Sequence, residues 1–189
     1  QASGIMHINE NELNILRAST YGTGVLIKHA LDSGCQEIIL GVGGSATNDA
    51  AAGIFQALGG SLLDKKRKQI EKGGADLSRL VSIINPKINK CIIWKIACDV
   101  INPLIGKNGA STIYGPQKGA SEDEIKILEN SLLNFSKVIN EHNGKSISKI
   151  EGGGAAGGVA AGMFGFFNAK LFSGFTILSE IFDLESQIQ

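Results

Sequence analysis

The sequence predicts an α/β fold built on a largely parallel sheet flanked by helices, and three observations carry that prediction. Residues 36–41, with the run Ile38-Ile39-Leu40, read as a strand that breaks into the glycines Gly41, Gly43 and Gly44. Residues 91–97 form a second apolar, β-branched strand that leads straight into Cys98-Asp99. Around both lie segments whose apolar residues recur at helical spacing, the alternation that joins parallel strands through helical crossovers.

Composition narrows the function classes. At 189 residues the chain can bury one sizeable core. Its 43% hydrophobic content and 18 basic against 18 acidic residues argue against a nucleic-acid or membrane partner, so binding must come from local geometry. Glycine is abundant, 25 residues where about 7% is usual. The glycines cluster in residues 41–44, 106–119 and 152–158, which suggests one shared site. Cys35, Cys91 and Cys98 lack metal spacing, which disfavours disulfides and zinc and fits a reducing cytoplasm. The uncharged stretch 152–169 is mostly Gly and Ala and includes Asn168, a poor membrane span, and no signal peptide is visible. The chain opens on Gln1-Ala2-Ser3-Gly4 without Met and closes on Ile188-Gln189, and it reads as a piece of a longer protein.

The elements follow in order. Val25, Leu26, Ile27, Ala30 and Leu31 give a helix between Ser19 or Thr20 as cap and Gly34 as stop. After the 36–41 strand, a second helix is expected over 48–58, capped by Thr47 or Asn48 and ended by Gly59-Gly60. A short extended piece then reaches Asp64, and Lys65-Lys66-Arg67-Lys68 reads as a solvated hairpin tip rather than a nucleic-acid patch. Ser121 and Glu124 form a capping box ahead of Ile125, Leu128, Leu132, Phe135 and Ile139, and Gly144 closes that helix. Residues 154–167 read as a helix of small residues suited to close packing.

Two loops carry the chemistry. The turn Gly43-Gly44-Ser45-Ala46-Thr47-Asn48 has the form of an anion site: glycines let backbone N–H groups approach, and a helix start favours negative charge. Phosphate or carboxylate is the expected guest, although a ligand-free strand-to-helix turn needs the same residues. By the letter, Gly41, Gly43 and Ala46, with Asp64 eighteen residues on, also fit a dinucleotide fingerprint and a nicotinamide-dependent oxidoreductase. A non-catalytic ligand-binding module is the remaining reading. Past the second strand, Asp99 and Asn102 stand where open α/β sheets collect ligands. Asp99 suits a substrate hydroxyl proton or Mg²⁺; its plainer role is to bond its own loop. Lys118, bracketed by Gly115 and Gly119, reads on spacing as an exposed turn lysine, or as a point charge for an anion. His7, His29 and His142 are scattered without metal spacing, and no nucleophile triad is suggested.

Five motifs in register raise the specificity: Ser19-Thr20-Tyr21-Gly22-Thr23-Gly24; Gly43-Gly44-Ser45-Ala46-Thr47-Asn48-Asp49; Ala97-Cys98-Asp99-Val100 with Asn102-Pro103-Leu104; Gly115-Pro116-Gln117-Lys118-Gly119-Ala120; and Gly154-Ala155-Ala156-Gly157-Gly158. Together they resemble the bacterial type-1 glycerate kinase family along essentially the whole chain. The resemblance implies a two-domain kinase of which residues 1–189 are the central α/β domain, with the segments that build the second domain absent and half the cleft with them. It implies ATP-dependent phosphorylation of D-glycerate to 2- or 3-phosphoglycerate with Mg²⁺. Asp99 and Lys118 become the catalytic candidates and Asp99 the magnesium candidate. Gly43, Gly44, Ser45, Thr47, Asn48 and Asn102 become the substrate- or phosphate-binding set. Three departures stand out. Ala50-Ala51 replaces the family's Gly-Gly, adding methyl groups that favour helix and crowd a close approach; Val25 replaces a glutamate; and Ile101 replaces a threonine.

Overall fold

The computed structural model describes residues 2–88 and 91–184; the side chains of His7 and Glu10, and the terminal pair Ile188-Gln189, lie outside it. Its elements run α1 (Tyr21–Asp32), β1 (Glu37–Gly41), α2 (Ala52–Ala57), β2 (Ser61–Leu63), β3 (Ser82–Ile84), β4 (Ile93–Ala97), α3 (Ala110–Tyr114), α4 (Glu122–Asn143), α5 (Ala155–Phe167), β5 (Lys170–Phe172) and α6 (Gly174–Phe182). The expected α/β architecture is present: β1, β4 and β5 form a parallel sheet in the order β1-β4-β5. Gly41 pairs with Ala97 and Ala97 with Phe172, so the three strands end level. The loops that leave them therefore share one edge.

β2 and β3 pair antiparallel in a separate ribbon. The basic run is the turn predicted for it, since Lys65, Lys66, Arg67 and Lys68 are exposed and the turn closes at a Leu63–Gln69 bridge. Asp64 holds that turn by accepting from Lys66 N at 2.8 Å, Lys68 N at 3.0 Å and Arg79 Nη2 at 3.1 Å.

α4 follows the sequence closely. Ser121 Oγ accepts from Glu124 N while the Glu124 carboxylate accepts from Ser121 N, and Gly144 closes the helix at φ +76°. Leu128, Leu132, Phe135 and Ile139 are all fully buried. Each contributes roughly 1.5–3 kcal/mol of burial. Phe166 of α5 stacks on Phe55 at 4.0 Å between ring centroids and meets Phe135 edge-on at 5.4 Å, which joins α2, α4 and α5 in one core.

α1 departs in detail. Ile27 and Gly24 are its buried residues, while Val25 and Leu26 are 49% and 61% exposed. Gly24 is buried because a Cβ there would lie 2.6 Å from Ala57 Cβ and 2.7 Å from Ile54 Cα, where α1 crosses α2. His29 faces outward as expected, and a His142 ring nitrogen lies 3.2 Å from Asn85 Oδ1.

Candidate active site

β1 delivers the chain to the sheet's carboxyl edge, where Gly43 and Gly44 are exposed and residues 46–52 are buried. The φ of +61° at Gly44 favours glycine. Gly43 has no such need, and a Cβ there would meet nothing within 4 Å. Packing therefore does not explain Gly43.

The helix expected from Asn48 does not form there. Ala50 and Ala51 adopt left-handed φ of +46° and +62°, and α2 begins only at Ala52. Thr47 and Asn48 consequently cap nothing, and the helix-dipole anion site expected at this turn is absent. The cause lies in α5. Ala156, Gly157 and Gly158 are also left-handed, and Gly157 O accepts from Ala50 N at 3.1 Å. A Cβ at Gly157 would come within 2.0 Å of Thr47 O, and one at Gly162 within 1.8 Å of Ala50 O. Backbone meets backbone across this crossing, which leaves no room for the regular turn that alanine favours. The helix predicted over 154–167 is regular only from Val159 onward for the same reason. Each left-handed alanine costs roughly 1–2 kcal/mol.

Lys118 completes the corner. It lies in the turn Pro116–Lys118, closed by Gly119 at φ +83°, yet it is only 2% exposed, so the reading as an exposed turn lysine is overturned. Its Nζ donates to Thr47 O at 2.7 Å and to Ser45 Oγ at 3.1 Å. Among the described residues no carboxylate stands within ion-pair distance of it. Burial pushes its ammonium down to about 8, and Asp49 opposes that shift. Asn48 Nδ2 donates to Ser111 Oγ at 3.0 Å. Thr47 Oγ1, Asn48 Oδ1 and Asp49 Oδ1 are buried oxygens without partners. Sequence reasoning missed Ser111, for which spacing gave no signal, and Asp49, whose only signal was membership of the 43–49 motif.

Asp49 is fully buried, and its Oδ2 accepts from Thr20 N at 2.8 Å, Thr20 Oγ1 at 3.0 Å, Ser19 Oγ at 3.2 Å and Gly53 N at 3.2 Å. Burial holds its pKa above the ordinary carboxylate value, and those donors offset only part of that rise.

Asp99 and Asn102 occupy a second neighbourhood. Asp99 is exposed, and its Oδ1 accepts from Gly174 N at 2.8 Å at the start of α6. Asn102 Nδ2 donates to Asn108 O at 2.9 Å and its Oδ1 accepts from Tyr114 Oη at 2.7 Å. Asp99 bonds the start of α6, 75 residues on, and Asn102 bonds Asn108 and Tyr114; neither has a hydrogen bond to Lys118. The glycine-rich start of α5 spans the two neighbourhoods: Gly154 N donates to Asn102 O at 2.8 Å, and Gly157 packs on Thr47. A cavity of about 420 Å³ between β1 and α1 opens onto Gly43, Ser45 and Thr47. No group of three metal-ligating His, Cys, Asp or Glu side chains occurs among the described residues.

A profile of the glycerate kinase family matches residues 1–189. The chain belongs to the glycerate kinase family. It is 47% identical over 178 residues to a glycerate kinase of Halalkalibacterium halodurans, an overlap of 92% of this chain and 47% of that protein. It is 44% identical over 191 residues to a glycerate 2-kinase of Escherichia coli, covering 99% of this chain and 50% of that one. A Salmonella typhimurium crystal structure assigned as a glycerate kinase 2 superposes with a TM-score of 0.93 at 40% identity, over 98% of this chain and 50% of the other. The chain thus spans about half the length of the glycerate kinases it matches. The family's Gly-Gly would suit the φ values found at Ala50 and Ala51, where the added methyl groups work against the backbone rather than favouring helix.

The dinucleotide reading loses its acid. Asp64 sits in the β2–β3 ribbon, outside the parallel sheet, and its carboxylate is spent on its own turn and Arg79.

Proposed function

We propose that this chain is the central α/β domain of an ATP-dependent kinase that transfers the γ-phosphoryl group to D-glycerate, giving 2- or 3-phosphoglycerate and ADP. The observation that carries the reading is Lys118: a buried ammonium 2.7 Å from Thr47 O and 3.1 Å from Ser45 Oγ, at the carboxyl edge, without a carboxylate pair among the described residues. A buried cation that lacks a counterion is expensive unless a ligand supplies one. Gly43 leaves space for a close approach beside it, and Ser45 and Thr47 line the adjoining cavity.

Phosphoryl transfer asks a protein chiefly to position two anions and neutralise charge. Lys118, Ser45, Thr47, Asn48 and the N–H groups near Gly43 and Gly44 hold the transferring phosphoryl group or the glycerate carboxylate. A glycerate hydroxyl oxygen bonds to the γ-phosphorus while the bond to the β,γ-bridging oxygen breaks, and Asp99 takes the hydroxyl proton. Asn102 fixes the loop that carries Asp99. Mg²⁺ held with the nucleotide would neutralise phosphate charge. Asp99 is the exposed carboxylate at hand, and one carboxylate fits magnesium held largely by phosphate oxygens and water. A second domain supplies the opposing wall of the cleft, so the chain by itself binds ligand without turnover. No helix among the described residues is long and apolar enough to cross a membrane.

The test is ADP release with Mg-ATP and D-glycerate, run on this chain and on a chain of the relatives' full length. Release by the longer form alone supports the reading. Silence in both, or NADH binding in place of turnover, contradicts it.

A further inference from the structure

We propose that Asp49 is a positioning residue for Lys118: a buried carboxylate that ties the starts of α1 and α2 to the 45–49 loop and so fixes where the ammonium is presented. The proposal rests on the reading of this corner as the anion site. Its basis is the direction of each hydrogen bond around Asp49 Oδ2. Ser19 Oγ accepts from Tyr21 N at 3.2 Å, and Thr20 Oγ1 accepts from Ile54 N at 3.1 Å. Each hydroxyl therefore aims its own proton at Asp49, joining the N–H groups of Thr20 and Gly53. Oδ2 is a pure acceptor of four donors, the arrangement that suits an ionised carboxylate.

Two of those donors are backbone N–H groups, from Thr20 at the head of α1 and Gly53 in the first turn of α2, so one carboxylate ties two helices together. The next two residues are the left-handed Ala50 and Ala51, and Thr47 O, two residues back, accepts from Lys118. Asp49 is thus the anchor that holds a strained loop in the shape Lys118 requires. It is also the charged group that acts on Lys118 through space, while Ser45 and Thr47 meet the ammonium with neutral oxygens. Its sequence gave it no role beyond its place in the Asn48-Asp49 motif.

The experiment is an NMR titration of the Lys118 Nζ and Cε signals and the Asp49 Cγ signal in the native chain, repeated for Lys118 in Asp49→Asn. In the native chain Asp49 stays ionised through the whole range over which Lys118 titrates. In Asp49→Asn with a native amide spectrum, the Lys118 midpoint falls by about one unit, the effect of losing a nearby opposite charge. A purely structural Asp49 would leave that midpoint in place, which overturns the proposal. Should Asp49→Asn not fold, the native carboxyl signal still decides, since a neutral Asp49 at the Lys118 midpoint is incompatible with the role. Failure of a full-length enzyme to release ADP would sink the kinase reading and leave both titrations as they are.

Discussion

Two loops leave adjacent parallel strands at the same edge of the sheet, and they treat their polar residues in opposite ways. The loop after β1 is buried from Ala46 onward, bends through two left-handed alanines, holds Lys118 on Ser45 Oγ and Thr47 O, and leaves three side-chain oxygens of Thr47, Asn48 and Asp49 buried without partners. The loop after β4 leaves Asp99 exposed on Gly174 N and spends Asn102 on Asn108 and Tyr114. A buried ammonium without a carboxylate at ion-pair distance, beside a strained loop, costs stability, and the cost makes sense where a ligand completes the site. Exposed or hydrogen-bonded polar side chains such as those of Asp99 and Asn102 carry no such signature. The contrast ranks the β1 loop first for binding and leaves Asp99 as the open carboxylate beside it.

The largest effect that would break this ranking is Lys118→Met. In a chain of the relatives' full length it should lower kcat/KM for D-glycerate at least about a hundredfold, roughly 2.7 kcal/mol of barrier. Asp99→Asn should lower kcat by about tenfold, near 1.4 kcal/mol. A reversed order in steady-state kinetics would move the centre of the site to the β4 loop.

Stability sharpens the same comparison. Lys118 titrates at about 8 in the folded chain against 10.5 ordinarily. Between those values the unfolded chain binds more protons, so stability should rise with pH across that window, by up to about 3 kcal/mol in total. Urea midpoints at the two ends of the window measure it, and Lys118→Met should abolish the rise. Ala50→Gly and Ala51→Gly should each stabilise the chain by about 1 kcal/mol by relieving left-handed strain, read as higher urea midpoints at unchanged slope. Gly43→Ala should change the unfolding free energy from urea titration by no more than about 1 kcal/mol, because its Cβ meets nothing, while raising KM.

What the sequence made legible was local. The capping box of α4, the β-branched runs of β1 and β4 and the glycine stops are set by neighbours within a few residues, and each appears within a residue or two of its expected place. The start of α2 was not legible, because Ala50-Ala51-Ala52 is a helix-forming run that long-range contact with Gly157 and Gly162 forces into another shape. The same contact displaces the expected cap at Thr47 and Asn48. Lys118 could be flagged by its glycine brackets, but its burial arises from a turn docking against a loop some seventy residues earlier, which spacing does not encode. Ser111 and Asp49 were invisible as partners for the same reason.

The central claim is that the buried, unpaired ammonium of Lys118 holds the anion in phosphoryl transfer. The most direct test is ADP release with Mg-ATP and D-glycerate by a full-length chain, native against Lys118→Met, with circular dichroism confirming that both are folded. The account predicts turnover by the native chain and a loss of at least about a hundredfold in the variant. Equal rates in the two folded proteins would contradict it.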